Sequence, residues 1–305
     1  MNLIAKRKWW YAISLLIIIP GTISLFVNGL KLGIDFQGGQ MLEVSGKVTQ
    51  ETVTPISDKL ELKDVTIISS GENTMIRYRD EAEPKQQQAN RQVLSSQLSQ
   101  KGNQEVRFET VGPAVSADIT RNAIISVALA AVAIVLYIAF AFRNVPPPLT
   151  SWNFGVAAII AMLHDALLLM GIFSLLGWAF GVEIDSLFVT AVLTVIGFSV
   201  HDTIVVFDRI RENLRRERGD LETIVNNSIL ETLARSLNTS ITVLLTLLAL
   251  YLFGGQSIKM FVLALLIGIA SGTYSSILNA SPLLISWHNY KLKREGKKSL
   301  KPAKA

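Results

Sequence analysis

A histidine and an aspartate, His201 and Asp202, stand side by side in an apolar stretch of the sequence, GFSVHDTIVVFDRI. Asp202 lies six residues before Asp208, where the charged run DRIREN ends the apolar stretch. A helical rise of about 1.5 Å per residue places Asp202 about 9 Å inside that boundary. An aspartate side chain is too short to reach water over this distance, so it must face a protein interior or a hydrated cavity. Uptake and release of a proton is the chemistry that a carboxylate in such a place could perform.

Arg235, near the start of a later apolar run, lies at a depth similar to that of Asp202. It begins a polar helical face that continues through Asn238, Thr239, Thr242 and Thr246. We predict that Arg235 pairs with Asp202, or exchanges partners with it, inside a helical bundle. The alternative is that Arg235 only anchors its helix by reaching toward the lipid headgroups, and that the threonines bond to their own backbone.

The last apolar run carries another polar face, made of small residues at helical spacing. Its members are Gly268, Gly272, Ser275, Ser276 and Asn279. Small residues let helices approach closely, and their hydroxyls can hydrogen-bond between helices. The polar faces of three successive helices therefore predict a shared polar interior.

Two His-Asp dipeptides, His164-Asp165 and His201-Asp202, raise the question of a metal site. The side chains of adjacent helical residues point about 100° apart, and no third type of ligand clusters near either dipeptide. We therefore predict no metal and no cofactor. His201 is predicted to be a secondary residue of a proton relay, whereas His164-Asp165 is either a packed polar pair or a second hydrated site. The sequence has no glycine-rich phosphate-binding loop, so the energy for any coupled movement would come from an ion gradient.

The elements that must position these residues are membrane helices. Half of the 305 residues are hydrophobic, and they cluster into runs of about the 20 residues that a helix needs to cross a bilayer. The six runs are roughly 10–28, 121–142, 152–178, 186–207, 237–254 and 260–287. The first run lacks a small-residue cleavage site, so we predict an uncleaved anchor rather than a signal peptide.

Positive charge is distributed unevenly between the predicted loops. With the N-terminus in the cytoplasm, the cytoplasmic segments include the arginine-rich stretch 209–218 and seven lysines and arginines after residue 290. The segment 29–120 lies outside and carries 10 Lys/Arg against 13 Asp/Glu, a net charge of −3. This bias fits the positive-inside rule and predicts that both termini are cytoplasmic. The overall charge of +5 therefore suits contact with anionic lipid headgroups, and no nucleic-acid partner is predicted.

The outside segment has the order of elements β-α-β-β-α-β, which is typical of a ferredoxin-like α+β domain. It contains neither histidine nor cysteine, and its acidic residues are scattered, so we predict a binding or mechanical role and no enzyme activity. In its first strand, Gly38-Gly39 indicates either a close backbone approach or a simple bend. The predicted organisation is an N-terminus with the first span (1–28), an outside domain (29–120), a five-helix membrane bundle (121–287) and a basic cytoplasmic tail (288–305).

Several motifs together resemble the SecF family, the smaller partners of SecD in bacterial protein export. They are GIDFQGG, ETVGPAVSADI, MLHD, VIGFSVHDTIVVFDRIREN, ETLARSLNTSIT and LYLFGG, in this order along nearly the whole chain. The resemblance implies half of a bundle of the resistance-nodulation-division type, which SecD completes with six further spans. It implies a plasma-membrane protein, or a thylakoid one, that uses inward proton flow to help move exported polypeptides from the SecYEG channel. It also implies that Asp202 and Arg235 form the proton pathway, with Thr239 as a further member. His201 is a departure, because the family commonly has asparagine there.

Two other classes of function compete with this interpretation. A half-size proton-driven exporter of small molecules or lipids would use the same bundle, but it predicts a large outside pocket for which the 29–120 segment offers little room. A membrane aspartyl protease would use Asp165 with Asp202, and that chemistry needs two carboxylates about 3 Å apart. Asp165 lies near the middle of its span and Asp202 nearer the inner surface, so we expect the depths to disagree.

Overall fold

The computed structural model describes residues 2–70 and 72–299; Gly71, predicted in the turn between two strands, and residues 300–305 of the predicted tail lie outside the described residues. The helices are α1 (Arg7–Val27), α2 (Ile34–Gln37), α3 (Gln50–Lys59), α4 (Pro84–Gln100), α5 (Pro113–Ala141), α6 (Ser151–Phe180), α7 (Ser186–Arg216), α8 (Leu221–Phe253), α9 (Lys259–Ser275) and α10 (Ser281–Ser299). The strands are β1 (Gly39–Ser45), β2 (Lys63–Ser70), β3 (Asn73–Arg79) and β4 (Glu105–Val111).

Among the described residues, six helical segments are long and apolar enough to cross a membrane, which confirms the predicted fold class. They are α1, α5, α6, α7, α8 and a last segment in which a π-helical turn, Ser276–Ala280, joins α9 to α10. Helices α7 and α8 extend well beyond the apolar runs that predicted them. The side chain of Asp220 accepts the backbone N–H of Glu222 at 3.2 Å and so caps the start of α8, far outside its apolar part.

The described chain divides into two compact units. One is a sheet unit made of Lys31–Ile125 and Phe180–Ser186, and the other contains most of the membrane helices. The sheet unit therefore includes the short loop between α6 and α7 as well as the segment between the first two spans.

The sheet has the strand order β2-β3-β1-β4, with every neighbouring pair antiparallel. This order and the chain order β1-α3-β2-β3-α4-β4 confirm the predicted ferredoxin-like domain. Alternate residues of β3 are buried, as expected of a strand with one face on a core. The core joins both helices to the central strands through Leu42, Val53, Ile56, Ile76 and Leu94.

Gly38 and Gly39 take backbone φ angles of +72° and +120° at the start of β1. A Cβ atom on Gly39 would lie 3.0 Å from the carbonyl oxygen of Tyr78, and one on Gly38 would lie 3.3 Å from that of Val111. The paired glycines thus combine a conformation that other residues rarely adopt with a close backbone approach.

Within the membrane unit, glycine sets two close helix contacts. A Cβ on Gly171 of α6 would come within 2.8 Å of the Gly21 backbone of α1, and the Ser24 and Ser174 hydroxyls are 2.8 Å apart one turn further on. A Cβ on Gly268 of α9 would lie 2.2 Å from the Val195 side chain of α7. These small residues bring α1 to α6 and α9 to α7, and the second contact positions the helix that carries Asp202.

Candidate proton-transfer site

Asp202 lies on α7 and is buried, with 2% of its surface exposed. Its Oδ2 atom accepts long hydrogen bonds from Thr273 Oγ1 of α9, at 3.3 Å, and from Ser240 Oγ of α8, at 3.4 Å. These two hydroxyl oxygens are 2.6 Å apart. The carboxyl group is therefore held between three helices by weak hydroxyl contacts.

Asp165, on α6, has a more complete hydrogen-bond shell and is fully buried. Its Oδ2 accepts from Ser199 and Ser275, each at 2.5 Å. Its Oδ1 accepts from Ser271 at 2.8 Å and contacts His164 Nδ1 at 2.9 Å. These partners occupy both oxygens, as expected of a carboxylate with a structural role.

The two carboxyl groups belong to neighbouring levels of one polar interior. Ser199, which bonds to Asp165, precedes Asp202 on α7 by one turn. Gly272 makes room for this arrangement, because a Cβ there would lie 3.2 Å from the Ser199 side chain and 3.7 Å from Asp165 Oδ2. Each carboxyl group binds its own set of hydroxyls, which is not the facing pair that an aspartyl protease requires.

His164 extends the shell of Asp165 toward the last membrane segment. Its Nε2 atom lies 3.2 Å from Asn279 Nδ2, and this amide donates to Ser14 Oγ of α1 at 2.7 Å. His164-Asp165 is therefore a packed polar pair, the first of the two interpretations that the sequence allows.

The four predicted site residues line one cavity of about 240 Å³. Its lining is His201, Asp202, Val205, Arg235, Ser236 and Thr239. A second cavity of about 270 Å³ shares Val205 and Arg235 with the first and extends to Asp208, Arg209, Glu212 and Glu231. The lining residues of the two cavities together extend from Asp202 to the charged end of α7.

The direct pair of Asp202 with Arg235, one of the two predicted alternatives, is not formed, whereas an exchange of partners stays a prediction. Within residues 2–70 and 72–299, neither side chain takes part in an ion pair, and Arg235 is exposed. The polar face predicted for the fifth span was placed wrongly. Asn238, Thr239, Thr242 and Thr246 are exposed, whereas Ser236 and Ser240 are buried.

The local hydrogen bonds of α8 explain why the predicted polar face does not turn toward the other helices of this chain. Thr239 donates to the carbonyl of Arg235 at 3.0 Å, and Thr246 donates to that of Thr242 at 3.0 Å. Their hydroxyls are satisfied by their own helix, so they form no hydrogen bonds with the other described helices of this chain. The predicted face of the last segment does lie inside, since Gly268, Gly272, Ser275, Ser276 and Asn279 are all buried.

Ser240 and Thr273, the two partners of Asp202, were missed in the sequence. Each follows a residue of a predicted polar face, Thr239 and Gly272, by one position. Helical spacing identifies such a face only to within one residue, or about 100°. In the described part of the chain, no group of three or more His, Cys, Asp or Glu residues could hold a metal ion.

Comparison with known proteins gives a consistent family. Residues 92–290 match the family described as "Protein export membrane protein SecD/SecF, C-terminal", and residues 23–48 match the "SecD/SecF GG Motif". Protein translocase subunit SecF of Thermobaculum terrenum is 52% identical, with 95% of this chain and 94% of that protein covered. SecF of Anaerolinea thermophila is 40% identical over the full length of both chains.

Longer relatives match over part of their length. Protein translocase subunit SecDF of Bacillus subtilis is 34% identical, with 95% of this chain but 38% of that protein covered. The crystal structure of SecDF, a translocon-associated membrane protein from Thermus thermophilus, superposes with a TM-score of 0.83 at 32% identity. The superposition covers 95% of this chain and 39% of the SecDF chain. The chain therefore belongs to the SecD/SecF family of protein-export membrane proteins, and its full-length relatives are SecF subunits.

Proposed function

We propose that this chain is an accessory subunit of the Sec translocase which, with SecD, uses the proton-motive force to promote movement of exported polypeptides. The observation that carries the proposal is the position of Asp202, a buried carboxyl group with only long hydroxyl contacts that lines a cavity. An ionisable residue inside a membrane helix bundle is a candidate for a proton pathway.

The hydrogen bonds distinguish Asp202 from Asp165 as the proton carrier. Adding a proton to Asp165 would displace one of its short contacts with Ser199, Ser271 or Ser275. Adding a proton to Asp202 disturbs only two long contacts, of 3.3 and 3.4 Å, and the cavity that Asp202 lines gives the proton a route. Asp202 therefore takes up and releases the proton, whereas Asp165 holds α6, α7 and α9 together.

Arg235 and Thr239 complete the pathway from the same cavity. Arg235 also lines the second cavity, so its guanidinium can turn toward Asp202 or toward the acidic residues Asp208, Glu212 and Glu231. A cation that changes partners in this way makes the charge of Asp202 depend on the conformation of the bundle. His201, a secondary member of the proposed pathway, lines the same cavity.

SecD is the partner that we propose for the exposed polar face of α8. Asn238, Thr239, Thr242 and Thr246 are exposed on a helix that is long and apolar enough to span a membrane. Polar side chains of membrane helices face protein or water-filled cavities rather than lipid. The relatives named SecDF support SecD as the cover, since this chain corresponds to less than two fifths of their length.

The remaining partners and the location follow from the family and the charge. The relatives are named translocase subunits, which supports action on exported polypeptides beside the SecYEG channel rather than an enzyme reaction. Six apolar helices support a multi-pass protein of the plasma membrane. The positive residues of 209–218 and of the tail support cytoplasmic N- and C-termini.

The test is export of a secreted reporter, with and without a protonophore, in cells whose only copy of this chain carries Asp202→Asn. This change keeps the size of the side chain and removes its titration. We expect export to fall to the level of a deletion while the variant still copurifies with SecD. Asp118→Asn, the same change at an exposed carboxylate, is the matched control and should export normally. Normal export by Asp202→Asn would contradict the proposal.

A further inference from the structure

The loop before α7 belongs to the sheet unit and is held within it by backbone hydrogen bonds. The loop before α7 pairs with the segment before α2 through a parallel bridge between Leu32 and Ile184. The N–H of Gly33 donates to the carbonyl of Ile184 at 2.8 Å, and the N–H of Ile184 donates to that of Lys31 at 2.8 Å. A Cβ on Gly33 would lie 3.0 Å from the Ile184 oxygen, so a glycine suits this approach.

Asp35 binds the first residue of α7 directly. Its Oδ2 atom accepts the backbone N–H of Ser186 at 2.8 Å. A carboxylate at the first turn of a helix can accept from one of the first backbone N–H groups and interacts favourably with the helix dipole. Asp35 belongs to the GIDFQGG motif, which continues directly into β1.

An ion pair joins the same loop to the middle of the sheet. Arg77 of β3 binds Glu183 at 3.0 Å, and the two side chains are only 12% and 15% exposed. The Arg77 guanidinium also donates to the carbonyl of Leu32 at 2.8 Å and to the side-chain oxygen of Gln37. Burial raises the pKa of Glu183, and the Arg77 guanidinium opposes that rise. The pair is thus largely shielded from water, and charge interactions in such a shielded place are stronger than at an exposed surface.

We infer that Asp35, Arg77 and Glu183 are positioning residues that transmit movement between α7 and the sheet unit. The inference rests on the proposed role of Asp202. From Ser186 to Asp202, α7 is one uninterrupted helix of about 24 Å, at about 1.5 Å per residue. A shift of α7 that accompanies a change of charge at Asp202 therefore reaches Ser186, and the hydrogen bonds of Asp35, Arg77 and Glu183 carry it into β1 and β3.

The link is proposed to stay closed throughout the cycle, which allows a test by covalent replacement. The chain has no cysteine, so Leu32→Cys with Ile184→Cys introduces a single pair. Neighbouring strands lie about 4.7–4.9 Å apart, within the range that a disulfide can bridge. Arg77→Ala is then made in this background, and the full chain is studied with SecD under reducing and oxidising conditions.

With the pair reduced, we expect Arg77→Ala to lose the part of export that depends on the proton-motive force. Oxidation should restore it, because the disulfide replaces the broken link. Throughout, the infrared band of the Asp202 carboxyl group should keep its response to pH. Lys63→Ala, which breaks the exposed ion pair of Lys63 with Glu81, is the matched control and should have no effect. Asp35→Ala should behave like Arg77→Ala, whereas Asp35→Asn keeps an acceptor for the Ser186 N–H and should retain export.

Three results would overturn the link. One is normal export by Arg77→Ala, another is a loss that oxidation does not restore, and the third is loss of export when the pair is oxidised in the presence of Arg77. Failure of the proposed function is separate from these, because it appears as normal export by Asp202→Asn in the presence of an intact link.

Discussion

Replacing Asp165 by asparagine should destabilise the protein, although the change only replaces one carboxylate oxygen by an NH₂ group. The carboxylate contacts four side chains, at 2.5 Å for Ser199 and Ser275, 2.8 Å for Ser271 and 2.9 Å for His164. With its carbonyl in the place of Oδ1, an asparagine satisfies Ser271 and His164, and its NH₂ group then meets the hydroxyls of Ser199 and Ser275. Those hydroxyls must turn toward other acceptors or lose a hydrogen bond.

The size of the effect follows from the two disturbed contacts. Hydrogen bonds between membrane helices contribute about 0.6 and at most about 1.7 kcal/mol each, and those to charged groups about 1.5–3 kcal/mol. Two such bonds give an expected loss in the free energy of unfolding of about 1–3 kcal/mol by the first value and about 3–6 kcal/mol by the second.

The assay is chemical or thermal unfolding of the purified chain in detergent, with Asp202→Asn as the matched variant. The same change at Asp202 affects only contacts of 3.3 and 3.4 Å, so its cost should stay below about 1 kcal/mol. If Asp165→Asn is as stable as Asp202→Asn, the distinction between a structural and a proton-carrying carboxylate is refuted.

Three further predictions test other parts of the account. Gly171→Ala should reduce stability, because its Cβ would lie 2.8 Å from the Gly21 backbone. A Cβ on Gly155 of the same helix meets nothing within 4 Å, so Gly155→Ala should be neutral or stabilising by up to about 1 kcal/mol, and thermal unfolding compares the two variants. Burial raises the pKa of Glu105 and its bond to Arg91 lowers it, and the net effect is a lowered pKa in the folded protein. The contribution of Glu105 to stability is therefore present above the ordinary glutamate pKa and is lost as the pH falls through the lower folded value. In Glu105→Gln, the free energy of unfolding measured against pH should lose this acid-side slope. His201→Asn should change the pH profile of proton-dependent export without lowering its maximum, because it removes an imidazole from the cavity of Asp202; an unchanged profile would exclude a relay role for His201.

The sequence predicted the helices and the small sheet domain because both have strong local patterns. Six apolar runs identified the spans, and the order of short elements identified the ferredoxin-like domain. Asp202 was also recognisable, since a carboxylate inside an apolar run is costly and requires an explanation.

Contacts between distant parts of the chain could not be predicted from these local patterns. The serines around Asp165 come from α7 and α9, as many as 110 residues away in the sequence, and Arg77 is 106 residues from Glu183. Helix α8 has hydroxyls on two adjacent faces, and only packing decides that Ser236 and Ser240 face inward. The proposed SecD partner, which would cover the other face, lies outside this chain.

Infrared difference spectroscopy of the chain in complex with SecD, recorded against pH, tests most directly whether Asp202 carries the proton. A protonated carboxyl group shielded from water has its own C=O stretching band, which disappears when the proton leaves. We expect such a band in the unmodified protein and in Asp118→Asn, and its loss in Asp202→Asn. A band that persists unchanged in Asp202→Asn would show that the proton is held elsewhere and that Asp202 is not the proton carrier.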